Sequence, residues 1–225
     1  MAKRRGPVYA RAMATRISER IIETEADVAE GAAHLARVCP RMAHARQLVG
    51  EVPLRRRDDG FAALMGAIVS QQVSVAAARA IWTRLEEAGL TEPRRLAATE
   101  DETLRAAGLS RQKARYVRAL AAADLDYAAL RRAPTEEVVA TLTQVPGIGV
   151  WTAEIYAMFS LGRADVFAPG DLALQESTRL LYDLPDRPRP AALRARAADW
   201  APWRAVAARL LWAYYHVAKH REGIA

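Results

Sequence analysis

The sequence has little of what disulfide-bonded, metal-binding and membrane proteins need. Cys39 is the only cysteine among 225 residues, so the chain forms no internal disulfide and lacks the thiolates for an iron–sulfur cluster or a zinc cage. Four scattered histidines give no transition-metal pattern. No apolar run approaches the roughly 20 residues of a membrane-spanning helix. We therefore expect a soluble, cytoplasmic protein in a reducing compartment that requires no cofactor.

Acidic residues are fewer than basic ones, 26 against 33, which gives a net charge of +7. This excess favours a polyanionic partner, nucleic acid before anionic membrane, although a solvated basic surface explains the composition equally well. The start, MAKRRGPVYARAMATR, is arginine-rich and acid-free like a transit peptide, but it lacks serine. We interpret it as a solvated or DNA-contacting arm.

No convincing period-two run predicts a strand, whereas apolar residues recur at helical spacing along the chain. We predict an all-α fold of about ten helices. One helix is expected between Gly60 and Gly89, another after a capping box formed by Thr99 and Glu102, and a third capped by Thr135.

Two proline- and charge-rich segments, PLRRRDDG and DLPDRPRP, are the predicted linkers. We predict three parts: an N-terminal helical segment at 1–59, a central helical domain with a hairpin at 60–161, and a C-terminal helical segment at 162–225. The first and third parts are expected to pack together as one subdomain.

The segment TLTQVPGIGVWTAEIYAMF predicts a helix, a two-glycine hairpin and a second helix beginning near Val150. Gly147 and Gly149 lack a Cβ, so another molecule can approach their amides closely. The unpaired amides and positive dipole end of the second helix complete an anion site suited to phosphate. On spacing alone, an ordinary helix–helix turn explains the glycines equally well.

Four segments in combination carry a resemblance to a known family: VPGIGVWTA, DVFAPGD, AIVSQQVSVAAARAIW and PWRAVAARLLWAYY. From Pro53 to the C-terminus the chain resembles the helix–hairpin–helix (HhH-GPD) DNA glycosylases, within them the DNA-3-methyladenine glycosylase II branch. The resemblance implies two packed helical subdomains with a DNA cleft between them. It also implies a monomer that flips alkylated bases, such as 3-methyladenine and 7-methylguanine, out of damaged DNA and hydrolyses their N-glycosidic bonds.

The resemblance assigns the catalytic role to Asp171, the acid of the family's Gly/Pro…Asp motif. Capping of the following helix is the alternative for the same residue, because Asp after Pro-Gly is a good N-cap. Asp165 matches the Asp of the DVF motif and is expected to be structural. Trp151 stands where related strand-cutting glycosylases carry a Schiff-base lysine, so we expect a monofunctional enzyme.

The resemblance places Trp151 and Trp212 in the wall of a base pocket, where an aromatic face attracts a cationic base. Core packing is the simpler explanation for each tryptophan. Trp82, Trp200 and Trp203 are expected to be structural residues of the core. Ile155 and Leu172 occupy positions where family members can carry aromatics, which predicts a wider and less aromatic pocket.

By the same resemblance, the expected DNA contacts are Gln71, Gln72, Lys113, Gly147, Gly149 and Thr152. Gln71 and Gln72 match the segment that fills the gap left by a flipped base, although an exposed pair on a helix is the plainer reading. A solvated side chain explains Lys113 nearly as well. The family's hairpin carbonyls can hold a monovalent cation, which implicates Thr143, Val145 and Ile148.

Three rival functions stay open at this stage. A glycosylase of the same fold could act on a mismatched or deaminated base. A non-catalytic module could use the hairpin as a phosphate clamp, but a clamp needs neither Asp171 nor a tryptophan-lined pocket. A membrane-surface protein is disfavoured because no helix combines an apolar and a basic face strongly enough.

Overall fold

The computed structural model describes residues 19–221 and is built from helices. Thirteen α-helices and one 3-10 helix follow one another in this part of the chain: α1 Glu25–Val38, α2 Pro40–Val49, α3 Phe61–Val69, α4 Val75–Glu87, α5 Pro93–Ala98, α6 Asp101–Ala106, α7 Arg111–Ala122, α8 Tyr127–Arg132, α9 Thr135–Leu142, α10 Val150–Phe159, α11 Leu172–Leu181, α12 Pro190–Ala197, η1 Ala198–Trp200 and α13 Arg204–Arg221.

The predicted all-α class is confirmed, since residues 19–221 form no strand and only one isolated bridge, between Ile21 and Arg163. No helix in the same range is long and apolar enough to cross a membrane. The predicted DNA-contacting arm at residues 1–16 lies outside the described residues.

The helix predicted between Gly60 and Gly89 is in fact two helices, α3 and α4. Gln72 adopts a left-handed conformation with φ +55° in the intervening turn, and this conformation does not continue an α-helix. The side chain of Ser74 then caps α4 by accepting a hydrogen bond from the Ala77 amide at 3.2 Å. The glutamine pair therefore lies in a turn rather than on a helix.

Two predicted caps are also wrong. Thr99 does not open a capping box, because its hydroxyl donates to the Arg95 carbonyl at 2.7 Å and closes α5. Thr135 is the first residue of α9 rather than its cap. Its backbone N–H donates to the Glu19 carboxylate at 2.9 Å, so a residue 116 positions away satisfies this helix start.

The helices pack in two groups. α1 and α2 lie against α13, which also packs against α11. In the other group, α7 contacts α3, α5 and α6, and α10 contacts α9 and α3. The predicted boundaries at residues 59/60 and 161/162 stay a prediction.

Gly31 allows α1 to lie close to the start of α13. A Cβ added at this position would lie 2.6 Å from both the Trp203 ring and the Val206 side chain. Such distances are shorter than any van der Waals contact, so a larger residue would separate the helices. Trp200 and Trp203 are buried in the same region, in agreement with the structural role predicted for both.

Leu35 and Val38 on α1 test whether this helix is part of the core. Leu35 is fully buried, whereas Val38 is 50% exposed. Leu35→Ala should lower the free energy of unfolding by about 2–5 kcal/mol because it leaves a cavity. Val38→Ala should change it by less than about 0.5 kcal/mol. Urea denaturation measures both values, and equal effects of the two substitutions would contradict the packing of α1.

Candidate active site

The hairpin joins α9 to α10 and depends on a glycine with positive φ. Gly147 has φ +92°, and a Cβ there would lie 2.4 Å from Cγ of Tyr116. Ile148 N–H donates to the Val145 carbonyl at 3.0 Å, which closes the turn. Close packing on α7 and the left-handed backbone together require glycine at this position.

The start of α10 presents unpaired amides. Gly149 is the N-cap, and the first backbone hydrogen bond of the helix runs from Ala153 N–H to the Gly149 carbonyl at 3.0 Å. The amides of Val150, Trp151 and Thr152 come before this bond and have no partner within the helix. Nothing lies within 4 Å of a Cβ position at Gly149, so an anion has open access to this end of the helix.

Asp171 is the N-cap of α11 and accepts hydrogen bonds from three helices. Its Oδ1 accepts from Leu174 N–H at 3.0 Å and from the Trp212 indole Nε1–H at 3.1 Å. Its Oδ2 accepts from the Trp151 indole Nε1–H at 3.1 Å. The structure thus brings together the predicted catalytic acid and both predicted pocket tryptophans. Capping and a site role coexist in one carboxylate.

The loop before Asp171 is held from within α11. The buried Gln175 side chain donates to the Pro169 carbonyl at 2.9 Å, and Asp171 N–H donates to the Ala168 carbonyl at 3.0 Å. Asp165 forms a two-pronged ion pair with Arg204, at 2.6 and 2.8 Å. That pairing ties the loop to α13, in keeping with the structural role expected for Asp165.

Trp212 is supported from behind by Phe159, whose ring centroid lies 5.6 Å away at a tilt of 33°. The fully buried Arg209 lies over the other side of this cluster, with its guanidinium carbon 4.7 Å from the Phe159 centroid. Arg209 donates only to carbonyls, those of Leu54, Ala205 and Met158. Burial lowers the pKa of Arg209 to about 10, with a further contribution from the charges of Arg56 and Arg55.

A groove of about 740 Å³ runs beside the hairpin helix. One wall comes from α10 and includes Trp151, Thr152 and Ile155. The opposite wall comes from α3 and α4 and consists mainly of small residues, namely Ala62, Ala63, Gly66, Ala67 and Ala78. Asp171 does not line the groove, but Trp151 lines it and also bonds to Asp171, so the acid stands at its edge. The space is large enough for a purine base.

The turn between α3 and α4 lies at the rim of this groove. Gln71 donates from its amide to the Gly147 carbonyl at 3.0 Å, which links the turn to the hairpin. Gln72 is exposed beside it. Lys113 donates to the Val69 carbonyl at 2.6 Å, and burial lowers the pKa of its ammonium. These bonds fix the turn, while DNA contact by the three residues stays a prediction.

The remaining predicted contacts differ in exposure. Thr152 is only 5% exposed, and its contact with DNA stays a prediction. Val145 and Ile148 are also buried. The Thr143 hydroxyl donates to the Val139 and Ala140 carbonyls, so only backbone oxygens of the three predicted cation ligands face the hairpin.

Sequence reasoning missed two residues of the groove. Trp82, which we expected in the core, is partly buried and lines the groove opposite α10. Arg57 lies in a segment that we predicted to be only a linker, yet it lines the same groove. The spacing of Trp151, Ile155 and Phe159 along one face of α10 is a sequence signal for the wall that faces these two residues.

The fold and this site define a helix–hairpin–helix protein with a carboxylate set beside the hairpin. Residues 65–202 match the HhH-GPD superfamily of base excision DNA repair proteins. The chain is 31% identical over 165 residues to DNA-3-methyladenine glycosylase 1 of Schizosaccharomyces pombe, a match that covers 69% of this chain and 72% of that protein. It is 32% identical over 168 residues to DNA-3-methyladenine glycosylase 2 of Escherichia coli, covering 68% of this chain and 57% of the other.

Solved structures give the same result. A DNA-3-methyladenine glycosidase from Bacillus halodurans superposes with a TM-score of 0.76 at 34% identity, covering 90% of this chain and 94% of that one. The 3-methyladenine DNA glycosylase of S. pombe in complex with abasic DNA superposes with a TM-score of 0.70 at 30% identity, covering 81% and 95%. The chain therefore belongs to the HhH-GPD superfamily of base excision DNA repair proteins.

The two hairpin glycines should respond differently to alanine. Gly147→Ala places a Cβ against Tyr116 at φ +92° and should lower the free energy of unfolding by about 1–3 kcal/mol. Gly149→Ala introduces its Cβ into open space at φ −87° and should cost less, about 0.5–1 kcal/mol, because alanine is a poorer N-cap than glycine. Thermal and urea unfolding of the pair measure the difference, and equal costs would show that the hairpin geometry is misassigned.

Proposed function

We propose that the chain is a monofunctional DNA glycosylase that hydrolyses the N-glycosidic bond of alkylated bases in base excision repair. The observation that carries the proposal is the Asp171 carboxylate, held by two indole N–H groups at the edge of a base-sized groove. The relatives named for 3-methyladenine support the class of lesion. A simple DNA clamp would have no use for this carboxylate.

The chemistry follows from where charge develops. When the glycosidic bond breaks, its electron pair stays with the base and positive charge appears on the sugar. A fixed carboxylate beside C1′ stabilises that charge, because its hydrogen bonds already hold it in place. A water molecule then adds to C1′ and gives a proton through Asp171 to solvent. The products are the free base and an abasic sugar.

The hairpin supplies the proposed grip on the DNA backbone. Val150 and Trp151 are exposed at the positive end of α10, and the unpaired amides of its first turn suit a phosphate oxygen. Such contacts hold the strand without reading its sequence. The S. pombe relative solved in complex with abasic DNA supports DNA as the ligand.

At the other side of the groove we assign Gln71 and Gln72 to the gap left by an extruded base. Base flipping requires a group that replaces the lost stacking. Gln72 is exposed at the tip of the turn, whereas Gln71 is already bonded to the hairpin. Gln72 is therefore the residue placed to hydrogen-bond the orphaned partner base.

We also assign a monovalent cation to the hairpin carbonyls of Thr143, Val145 and Ile148. Carbonyl oxygens are the ligand type that such a cation prefers. When bound, the ion would add positive charge near the phosphate. The Val145 oxygen already accepts one bond, from Ile148 N–H, and it keeps a second lone pair for a ligand.

Asp171→Asn tests the central assignment. Asparagine keeps an oxygen for the Leu174 N–H but loses the negative charge. Base release should fall about 100- to 1000-fold, while affinity for lesion-bearing duplex stays within about twofold. The measurements are base release from oligonucleotides with one defined lesion, and equilibrium binding to the same duplexes.

Asp165→Asn is the matched control, because it removes a carboxylate from the same loop. It breaks the pair with Arg204 and should reduce stability rather than turnover of the folded protein. Near-wild-type release by Asp171→Asn would overturn the catalytic role. If the wild-type protein released no alkylated base at all, the clamp would become the better explanation.

Trp151 bears on what happens after base release. An indole cannot form a Schiff base with the abasic sugar, so the strand should stay intact until hot alkali cleaves it. Incubation with lesion-bearing duplex and sodium borohydride should give no covalent protein–DNA band. A borohydride-trapped adduct, or strand cleavage before alkali, would show that the enzyme also has lyase activity.

A further inference from the structure

Arg57 is an exposed residue that lines the groove beside the end of α10. Trp151, Ile155 and Phe159 follow one another at intervals of four residues and share one face of α10. Arg57 stands at the end of this row, with its backbone N–H donating to the Phe159 carbonyl at 3.0 Å. Its guanidinium carbon lies 5.4 Å from the Phe159 ring centroid, and its side chain lines the groove.

Arg57 has no salt-bridge partner among the residues that the structure describes. Within residues 19–221 no carboxylate forms an ion pair with it. The nearby acid Asp59 is already bonded to Arg131, at 2.8 Å. The groove therefore contains a positive charge with free N–H donors.

The buried Phe159 ring beside Arg57 has two further guanidinium groups close to it. Arg209 lies 4.7 Å from the Phe159 centroid, and Arg56 donates to the Phe159 carbonyl at 3.4 Å. A ring attracts cations through its negative face, and guanidinium groups already use that capacity at Phe159. A cationic base would find an attractive face at Trp151 but a repulsive charge at this end.

We propose that Arg57 stabilises the negative charge on an alkylated base that is neutral before it leaves, and opposes the binding of one that is cationic. This inference rests on the proposed glycosylase function and names the lesions that the groove favours. A neutral base takes the electron pair of the broken bond, departs as an anion and then gains a proton from solvent. A guanidinium stabilises that anion through charge and hydrogen bonding.

Arg57 acts differently on a cationic base. A base such as 7-methylguanine carries its positive charge while bound and leaves as a neutral molecule. Arg57 then weakens substrate binding, but the repulsion fades as charge moves from the base to the sugar. Loss of the same side chain should therefore lower kcat/KM for the neutral base and leave kcat/KM nearly unchanged for the cationic base.

Arg57→Met tests the inference with two duplexes that differ only in the lesion, 1,N6-ethenoadenine as the neutral base and 7-methylguanine as the cationic one. For the neutral base, kcat should fall about 10- to 100-fold with KM nearly unchanged. For the cationic base, KM and kcat should fall together, about three- to tenfold, so that kcat/KM stays nearly unchanged. Arg57→Lys keeps the charge and should lie closer to wild type with both lesions.

Arg79→Met is the matched control, since Arg79 is an exposed arginine on the opposite rim of the groove. It should change the two lesions by the same factor, and thermal unfolding should show that every variant is folded. An equal loss of kcat/KM with both lesions in Arg57→Met would reduce Arg57 to a structural role and overturn the inference. Release of neither lesion by the wild-type enzyme would instead contradict the proposed function.

Discussion

One carboxylate fixes the relative positions of α10, α11 and α13. Asp171 accepts from an indole on α10, an indole on α13 and a backbone N–H on α11. Each indole carries a single N–H donor, which a buried tryptophan normally needs to satisfy. Loss of the bond to the partly buried Trp212 would leave a polar group without a partner, at a cost of about 1–3 kcal/mol, whereas the 44% exposed Trp151 can bond to water instead. The same bonds that orient the acid therefore stabilise the packing around it.

α10 has a defined electrostatic environment at each end. Its first amides are unpaired within the helix and suit a negative ligand. Its last carbonyls are satisfied by Arg209 on Met158 and by the segment carrying Arg56 and Arg57 on Phe159. Positive groups at a helix C-terminus stabilise the helix dipole, and here they also place guanidinium groups against the aromatic wall. Stability of this helix and the charge of the groove thus have a common origin.

What the sequence predicted well was encoded locally. The hairpin, the start of α10 near Val150 and the cap of α11 by Asp171 all follow from glycine, proline and capping residues within a few positions. The resemblance then brought Trp151, Trp212 and Asp171 together correctly, although the roles of these residues rest on chemistry still to be measured.

The errors arose where distant parts of the chain meet. Glu19 satisfies the start of α9 across 116 positions, which no local pattern reports. The turn at Gln72 interrupts a long apolar periodicity because Gln71 and Lys113 hold it from outside. Arg57 looked like part of a solvated charge run, and only its backbone bond to Phe159 turns it toward the groove. Tertiary contacts of this kind override local propensity.

The bond between Gln71 and the Gly147 carbonyl joins the two elements that the proposal places on the DNA. A phosphate held at the hairpin and the side chain of Gln72 are then separated by a constant span, set by the protein rather than by the nucleic acid. The protein would thereby fix the distance between the bound phosphate and the point where Gln72 enters the duplex. Base steps that reach this distance easily would accept the side chain at a small cost in DNA deformation energy. Local DNA deformability would therefore influence which sites the protein enters.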